Sequence, residues 1–218
     1  MKIVIDGNIG SGKTTQIGLL EKKGWCVRRE PIDKWPLDEF YKNQSRWAFL
    51  LHMRILQTLR PVKTSRPVIY ERSLVSSRWV FWPILQKHKR VTTAEHEAYD
   101  AFYNEYVWYP DLYIFLDKDV ETAYGHVLNR KQAGDSGVSL AYMRELDTEY
   151  HKIFSKIPCI VHVIDANRSV EEIHKEICDI LAGYELLIGH GGGVKVQEES
   201  DPGRQVSCAS LTDMCRVS

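Results

Sequence analysis

Short runs of apolar residues alternate along the chain with longer stretches in which apolar residues recur at helical spacing. The apolar runs predict five strands, at residues 2–6, 25–29, 67–70, 112–116 and 160–164. The helical spacing predicts helices at residues 13–23, 45–59, 73–87, 92–108, 120–130, 140–154 and 170–181, with Thr92 and Glu95 typical of a helix start. Because strands and helices alternate, we expect an α/β fold in which a five-stranded parallel sheet carries helices on both faces.

The pattern changes near residue 189. Residues 191–193 are all glycine, and the polar stretch after them contains Pro202 and Gly203 and offers few side chains for a core. We therefore predict one domain at residues 1–188, followed by a flexible tail at residues 189–218.

The composition is ordinary for a globular protein, with 44% hydrophobic and 27% charged residues. Lys plus Arg and Asp plus Glu both number 29, so the net charge is zero and favours neither a nucleic acid nor a membrane surface as a partner. No apolar run is long enough to span a bilayer, and the N-terminal residues lack the apolar segment of a secretory signal. The five cysteines include no Cys-x-x-Cys pair, which favours reduced thiols and a cytoplasmic protein.

The strongest motif is a glycine-rich loop between the first predicted strand and the first predicted helix. Residues 7–14 match G-x-x-x-x-G-K-[ST], the P-loop pattern. Its glycines let backbone N–H groups face phosphate oxygens, Lys13 reaches the terminal phosphates, and the Thr14 hydroxyl is a ligand for Mg²⁺. The predicted ATP-binding residues of this segment are Gly7, Asn8, Ile9, Gly10, Ser11, Gly12, Lys13, Thr14 and Thr15.

Charged residues follow the next two strands at the points where each strand ends. Glu30 comes directly after the second strand, where a carboxylate can orient a hydroxyl nucleophile beside the γ-phosphate. Glu71 and Arg72 follow the third strand. Glu71 is predicted to hold Mg²⁺, while Arg72 is predicted to neutralise phosphate or to fix the carboxylate that acts as general base. Asp117, at the end of the fourth strand, is an alternative acidic residue for the metal. From position alone, Glu30 is equally compatible with a surface residue.

Five motifs, beginning with the P-loop segment, occur along the chain in a fixed order. IDGNIGSGKTT is followed by REPIDKW, FYKNQSRWAF, VIYERSLVSSRWVF and NRKQAGDSG. The chain resembles the deoxynucleoside kinase family over about residues 2–183, and the E-P-x-x-x-W and E-R-S motifs are more specific than the P-loop. The resemblance implies a P-loop kinase fold with a lid segment at residues 130–137, and transfer of the γ-phosphate of ATP, with Mg²⁺, to the 5′-hydroxyl of a deoxynucleoside.

The resemblance also implies roles for individual residues. Glu30 and Arg72 are the expected catalytic residues, Arg130 is a lid residue that closes over the phosphates of ATP, and Thr14 and Glu71 are the expected metal ligands. The expected substrate-binding residues are Trp35, Tyr41, His52, Ile55, Arg72, Ser77, Phe81 and Asp135. Of these, Tyr41 and Asp135 are expected to bond the sugar 3′-hydroxyl, and Phe81 to stack on the base.

The sequence departs from the family at two places. His52 replaces a glutamine that makes a paired hydrogen bond to the base, and a histidine ring cannot copy the fork of an amide. Lys131 and Gln132 follow Arg130 where the family often has a second arginine.

The residue at position 77 bears on the choice of acceptor. Ser77 is small and uncharged where the deoxycytidine-selective member has an aspartate. The small side chain leaves room for a 5-methyl group, so thymidine is the expected acceptor.

Three other functions remain open at this point. A nucleoside monophosphate kinase would need more cationic groups for its acceptor than Trp35, Tyr41 and Phe81 supply. A GTPase-type switch would need N-K-x-D, which is absent. A P-loop module without catalysis would show no nucleoside-dependent ATP turnover. The aromatic-rich helices around Trp82 and Tyr99 also predict a homodimer.

Overall fold

Five parallel strands form the centre of the computed structural model, which describes residues 1–130 and 135–189. The strands are β1 (Lys2–Gly7), β2 (Cys26–Arg28), β3 (Val68–Glu71), β4 (Leu112–Asp117) and β5 (Ile160–Asp165). They lie in the order β2-β3-β1-β4-β5, and every neighbouring pair is parallel. The predicted α/β fold with a five-stranded parallel sheet is confirmed.

The described residues form helices on both faces of this sheet. They are α1 (Lys13–Lys22), α2 (Leu37–Lys42), α3 (Gln44–Thr58), α4 (Leu74–Ser76), α5 (Trp82–Lys87), α6 (Thr93–Tyr106), α7 (Val120–Arg130), α8 (Leu140–Tyr150) and α9 (Val170–Gly189). Thr92 and Glu95 form the expected capping box at the start of α6. The helix α2 was not predicted, because six residues carry too little periodicity to reveal a helix.

The central strands are apolar on both sides because both faces of the sheet are covered. Ile3, Val4 and Ile5 of β1 are fully buried. On one face, helices α1 and α9 pack against the sheet through Ile17, Leu20, Ile177 and Leu181. On the other face, the core is formed by helices α3, α5, α6 and α8, with Leu56, Trp82, Tyr99 and Leu146 among its members.

The predicted helix at residues 73–87 is wrong as a single regular helix. A wide π-helical turn at Ser77–Phe81 separates α4 from α5. Pro83 has no N–H to donate to the carbonyl of Trp79, and its ring would clash with that carbonyl, so regular helical bonding stops there. The predicted helix at residues 140–154 likewise ends at Tyr150, and a 3₁₀ turn follows at Ile153–Lys156.

Three further expectations concern the C-terminal tail, membrane-spanning helices and the homodimer. Helix α9 extends to Gly189, and the rest of the predicted flexible tail lies outside the described residues. No helix within residues 1–130 and 135–189 is both long enough and apolar enough to cross a bilayer. Among the aromatic residues, the rings of Phe102 and Tyr106 stack 6.3 Å apart and Phe102 is 40% exposed, but the homodimer stays a prediction.

Candidate active site

The carboxyl ends of β1, β2 and β3 open onto one cavity of about 350 Å³. The cavity has the size of a small-molecule site and lies where ligands bind in open parallel sheets. Its lining from the predicted set is Ile9, Gly10, Lys13, Thr14, Glu30, Trp35, Tyr41, His52, Ile55, Glu71, Arg72, Ser77, Phe81, Arg130 and Asp135. Residues predicted from separate motifs therefore come together around one space.

The P-loop wraps closely because two of its glycines have left-handed backbone conformations. Gly12 precedes α1 with φ 99°, and Gly10 has φ 77°, where a Cβ atom would overlap the backbone oxygen of Ala123. The Ser11 hydroxyl is buried and has no hydrogen-bond partner among the described residues. A buried hydroxyl without a partner in a glycine-rich loop suits a phosphate oxygen, which accepts hydrogen bonds.

Lys13 lies inside this loop. Its Nζ donates hydrogen bonds to the backbone oxygens of Gly7 at 3.0 Å and Asn8 at 2.7 Å. Burial, followed by the positive charge of Arg72, lowers the pKa of Lys13 to about 7, although neighbouring carboxylates oppose the shift. A phosphate beside Nζ would favour the charged form of this side chain.

Arg72 connects the loop to the carboxylate at the end of β2. Its Nε contacts Glu30 Oε1 at 2.9 Å, and its Nη1 donates to the backbone oxygen of Gly7 at 3.0 Å. The residue has a left-handed φ of 65°, which is uncommon outside glycine, while its N–H donates to Ile5 of β1 at 3.1 Å. The backbone therefore continues the sheet while the guanidinium turns toward the cavity.

Asp6 anchors Arg72 from below, a role that the sequence did not reveal. Its carboxylate is fully buried, lies 3.1 Å from Arg72 Nη1, and accepts hydrogen bonds from the hydroxyls of Tyr113 at 2.8 Å and Tyr150 at 3.0 Å. Arg72 also contacts the Tyr150 hydroxyl. The available signal was a charged residue inside an otherwise apolar strand, since a buried carboxylate needs partners.

Glu30 lies between the loop and the rest of the cavity, with 15% of its side chain exposed. Burial raises the pKa of its carboxyl above the ordinary value, and Arg72 opposes that shift. A carboxylate with a raised pKa that is held in place by a guanidinium is suited to accept a proton from a hydroxyl.

The two predicted metal ligands are neighbours. The Thr14 hydroxyl donates to Glu71 Oε1 at 2.5 Å beside the P-loop, and both residues line the cavity. Hydroxyl and carboxylate oxygens are the donors that Mg²⁺ prefers, so this pair fits the ion. Asp117 does not line this cavity, and it lies instead 3.5 Å from His151. The geometry thus favours Glu71 over Asp117.

The other end of the cavity is mostly aromatic and apolar. The Trp35 Nε1 donates to the Thr58 hydroxyl at 2.9 Å, which fixes the indole as a wall. The Phe81 ring lies 5.1 Å from the Arg72 guanidinium. Burial, followed by the charge of Asp135, raises the pKa of Tyr41 to about 12, so its hydroxyl keeps its proton.

Arg130 and Asp135 pair with each other at the rim. Two hydrogen bonds of 2.8 Å join the guanidinium to the carboxylate. Their predicted roles, on the ATP phosphates and on the sugar, stay predictions. Lys131 and Gln132 lie outside the described residues. Thr15, predicted to bind ATP, is exposed on α1 and does not line the cavity.

Sequence reasoning missed several lining residues, which are Arg29, Ile32, Leu37, Phe40, Leu51, Leu59, Ser73, Ser76, Leu85, Val138 and Tyr142. Most are apolar, and an apolar residue that faces a cavity has the same sequence pattern as one that faces the core. Only the path of the chain across the cavity distinguishes the two.

Comparison with known proteins identifies the family. The deoxynucleoside kinase family profile matches residues 3–188. The chain belongs to the deoxynucleoside kinase family. One relative is a protein of Invertebrate iridescent virus 3 that is named provisionally as a kinase. It is 28% identical over 186 residues, which cover 83% of this chain and 95% of the relative. The deoxyadenosine kinase of Dictyostelium discoideum is 28% identical over 177 residues, 77% of this chain and 72% of that protein.

A solved structure has the same fold as this kinase. The deoxyadenosine kinase from M. mycoides, with dCMP and dCDP bound, superposes with a TM-score of 0.76 at 23% identity, covering 84% of this chain and 100% of that one. The P-loop kinase fold expected from the sequence is confirmed.

Proposed function

We propose that this kinase transfers the γ-phosphoryl group of ATP to the 5′-hydroxyl of a deoxynucleoside, with thymidine as the preferred acceptor. The observation that carries the proposal is the position of Glu30. Its carboxylate lies 2.9 Å from Arg72, which also bonds the P-loop, and it faces the same cavity as the aromatic pocket. A carboxylate between the P-loop and the aromatic end of the cavity supports the role of Glu30 as proton acceptor.

In this mechanism, Glu30 orients the 5′-hydroxyl and accepts its proton as the oxygen–phosphorus bond forms and the bond to the leaving ADP breaks. The transition state of phosphoryl transfer is loose, so the main work of the protein is positioning and charge stabilisation. Lys13 and the P-loop N–H groups stabilise charge on the phosphates, and Arg72 holds Glu30 in place.

Thr14 and Glu71 would hold the Mg²⁺ ion that accompanies ATP. Their oxygens are 2.5 Å apart at the mouth of the P-loop. When bound, the ion supplies positive charge next to the phosphates. The chain's own part is to orient these two oxygens.

The acceptor would lie between Trp35 and Phe81, with the sugar toward Tyr41 and Asp135. Tyr41 keeps its proton, so its hydroxyl can donate to a sugar oxygen. Ser77 is buried at the base end, and its small side chain leaves space for the 5-methyl group of thymine. The apolar walls of this end suit an uncharged base.

The test compares the four natural deoxynucleosides, with thymidine monophosphate as a fifth acceptor, in a coupled assay of ADP release. We expect the highest kcat/KM with thymidine. Turnover with thymidine monophosphate but not with thymidine would support a monophosphate kinase instead. ATP turnover that does not depend on an added nucleoside would refute the proposal altogether.

Glu30→Gln tests the mechanism. The amide keeps the size of the side chain but cannot accept the proton, so kcat should fall by about 10²- to 10⁴-fold while MgATP still binds. Because Glu30 must be ionised to act and its pKa is raised, the wild-type rate should fall as pH drops through that raised pKa. Glu97→Gln, an exposed change on α6, is the matched control and should leave kcat unchanged. Near-normal turnover by Glu30→Gln would remove Glu30 from the mechanism.

A further inference from the structure

Few polar groups lie at the base end of the cavity, which we define as the part lined by Leu51, His52, Ile55, Ser76, Ser77, Phe81 and Leu85. The Ser76 hydroxyl donates to the backbone oxygen of Ser73 at 3.1 Å and is therefore already used. Among the described residues at this end, His52 and Ser77 are the ones that remain to read the edge of a base.

These two residues belong to a buried chain of hydrogen bonds. His52 Nδ1 lies 3.1 Å from the Ser77 hydroxyl, which lies 3.2 Å from the Tyr99 hydroxyl. All three side chains are at least 96% buried, and the imidazole is held edge-on between the rings of Trp82 at 5.1 Å and Tyr99 at 5.7 Å. The ring orientation is therefore fixed by packing.

The chain of hydrogen bonds has one favoured direction. Burial raises the pKa of Tyr99, so its hydroxyl keeps its proton, and the partner it has among the described residues is the Ser77 hydroxyl. Tyr99 must donate to Ser77, because the opposite direction would leave a buried O–H without an acceptor. Ser77 then donates its own proton to His52 Nδ1.

The direction fixes the tautomer of His52. Burial lowers the pKa of its imidazole to about 3, so the ring is neutral and carries a single proton. Since Nδ1 accepts from Ser77, that proton is on Nε2. Nε2 has no hydrogen-bond partner within the described part of the chain. It is nevertheless not among the fully buried polar atoms that lack a partner, and His52 lines the cavity, so Nε2 is open to the cavity.

We infer that the chain Tyr99–Ser77–His52 holds His52 with its proton on Nε2, and that this donor selects bases with a carbonyl oxygen at that point over bases with an exocyclic amine. Tyr99 is a positioning residue, and His52 contacts the base. The specificity part of the inference rests on the proposed function, whereas the tautomer does not. An amine facing Nε2–H would place two donors against each other, and reversing the chain would leave the Tyr99 hydroxyl unpaired.

Deoxyuridine and deoxycytidine make a suitable pair of acceptors, because both lack the 5-methyl group. They differ in having a carbonyl or an amine at position 4, together with the proton at N3 that accompanies the carbonyl. We expect kcat/KM to favour deoxyuridine by roughly tenfold or more in the wild-type enzyme. Tyr99→Phe removes the donor that sets the direction, so the preference should fall by about threefold or more. Tyr103→Phe is the matched control, because Tyr103 lies one turn along α6 and its hydroxyl is not in the chain, and it should keep the wild-type ratio.

The tautomer itself is measured by ¹⁵N NMR of the histidine side chains in the wild-type protein. We expect His52 to carry its proton on Nε2 in the wild type and in Tyr103→Phe, and to become a mixture in Tyr99→Phe. A proton on Nδ1 in the wild type would overturn the inferred direction of the hydrogen-bond chain. An unchanged ratio in Tyr99→Phe would overturn the specificity claim. Absence of turnover with every nucleoside would refute the proposed function and the specificity together. The NMR measurement would still test the direction of the hydrogen-bond chain.

Discussion

Binding of MgATP to the P-loop should take up a proton, because Lys13 is only partly charged near neutral pH. Burial and the nearby Arg72 lower the pKa of its ammonium to about 7. A triphosphate beside Nζ adds negative charge at short range and should return that pKa toward its ordinary value of about 10. The bound enzyme would then carry a fully protonated Lys13 across the neutral range.

The size of the effect follows from the free-enzyme pKa of about 7. About half of Lys13 is neutral at pH 7 and about nine-tenths at pH 8, so the uptake should rise from about 0.5 to about 0.9 proton per MgATP. Because this proton comes from solvent, the Kd for MgATP should rise about fivefold between pH 7 and pH 8, or ~1 kcal/mol. The sign is fixed: affinity falls as pH rises.

Isothermal titration calorimetry in two buffers of equal pH and different ionisation enthalpy measures the number of protons directly. Lys13→Arg is the matched variant, because a guanidinium stays charged throughout this range and should show no such uptake. Any proton exchange by MgATP itself is common to both proteins and cancels in the comparison. An uptake below about 0.2 proton at pH 8 in the wild type, or equal uptake in the two proteins, would refute the reasoning.

Two further substitutions test the frame of the site. Gly10→Ala places a Cβ atom against the backbone oxygen of Ala123 at a left-handed φ, so we expect a loss of about 1–3 kcal/mol in urea unfolding and weaker MgATP binding. Gly125→Ala, a helical position with nothing within 4 Å, is the control and should be neutral or stabilising. Asp6→Asn removes the buried carboxylate partner of Arg72 and should cost about 3–5 kcal/mol in the same measurement, whereas a cost below about 1 kcal/mol would contradict the anchoring role.

The sheet could be predicted because each strand leaves a local trace. Buried parallel strands are continuous apolar runs, and all five runs became strands within two residues of their predicted ends. The helical segment around Ser77 could not be predicted in detail, because the wide turn there depends on which carbonyls Pro83 leaves without a donor. Helix α2 was too short to show a period.

The residues of the site could be predicted where they belong to a recognisable sequence motif. Lys13, Thr14, Glu71 and Arg72 all line the same cavity, because strand ends in a parallel sheet meet at one edge. Contacts between distant segments were not predictable in this way. Neither the partnership of Asp6 with two tyrosines nor the hydroxyl chain to His52 has any sequence spacing of its own, since both depend on how helices pack over the sheet.

Arg72 explains why these distant contacts matter to the reaction. One guanidinium bonds the carboxylate of Glu30, the buried carboxylate of Asp6 and the backbone oxygen of Gly7 at the start of the P-loop. The position of Glu30, the proposed proton acceptor, is therefore tied to the position of the P-loop by a single guanidinium. Phosphoryl transfer gains most of its rate from such alignment, since displacing either reactant by about 1 Å can cost about 10²-fold. The left-handed backbone of Arg72 is the local cost of pointing one side chain at all three partners.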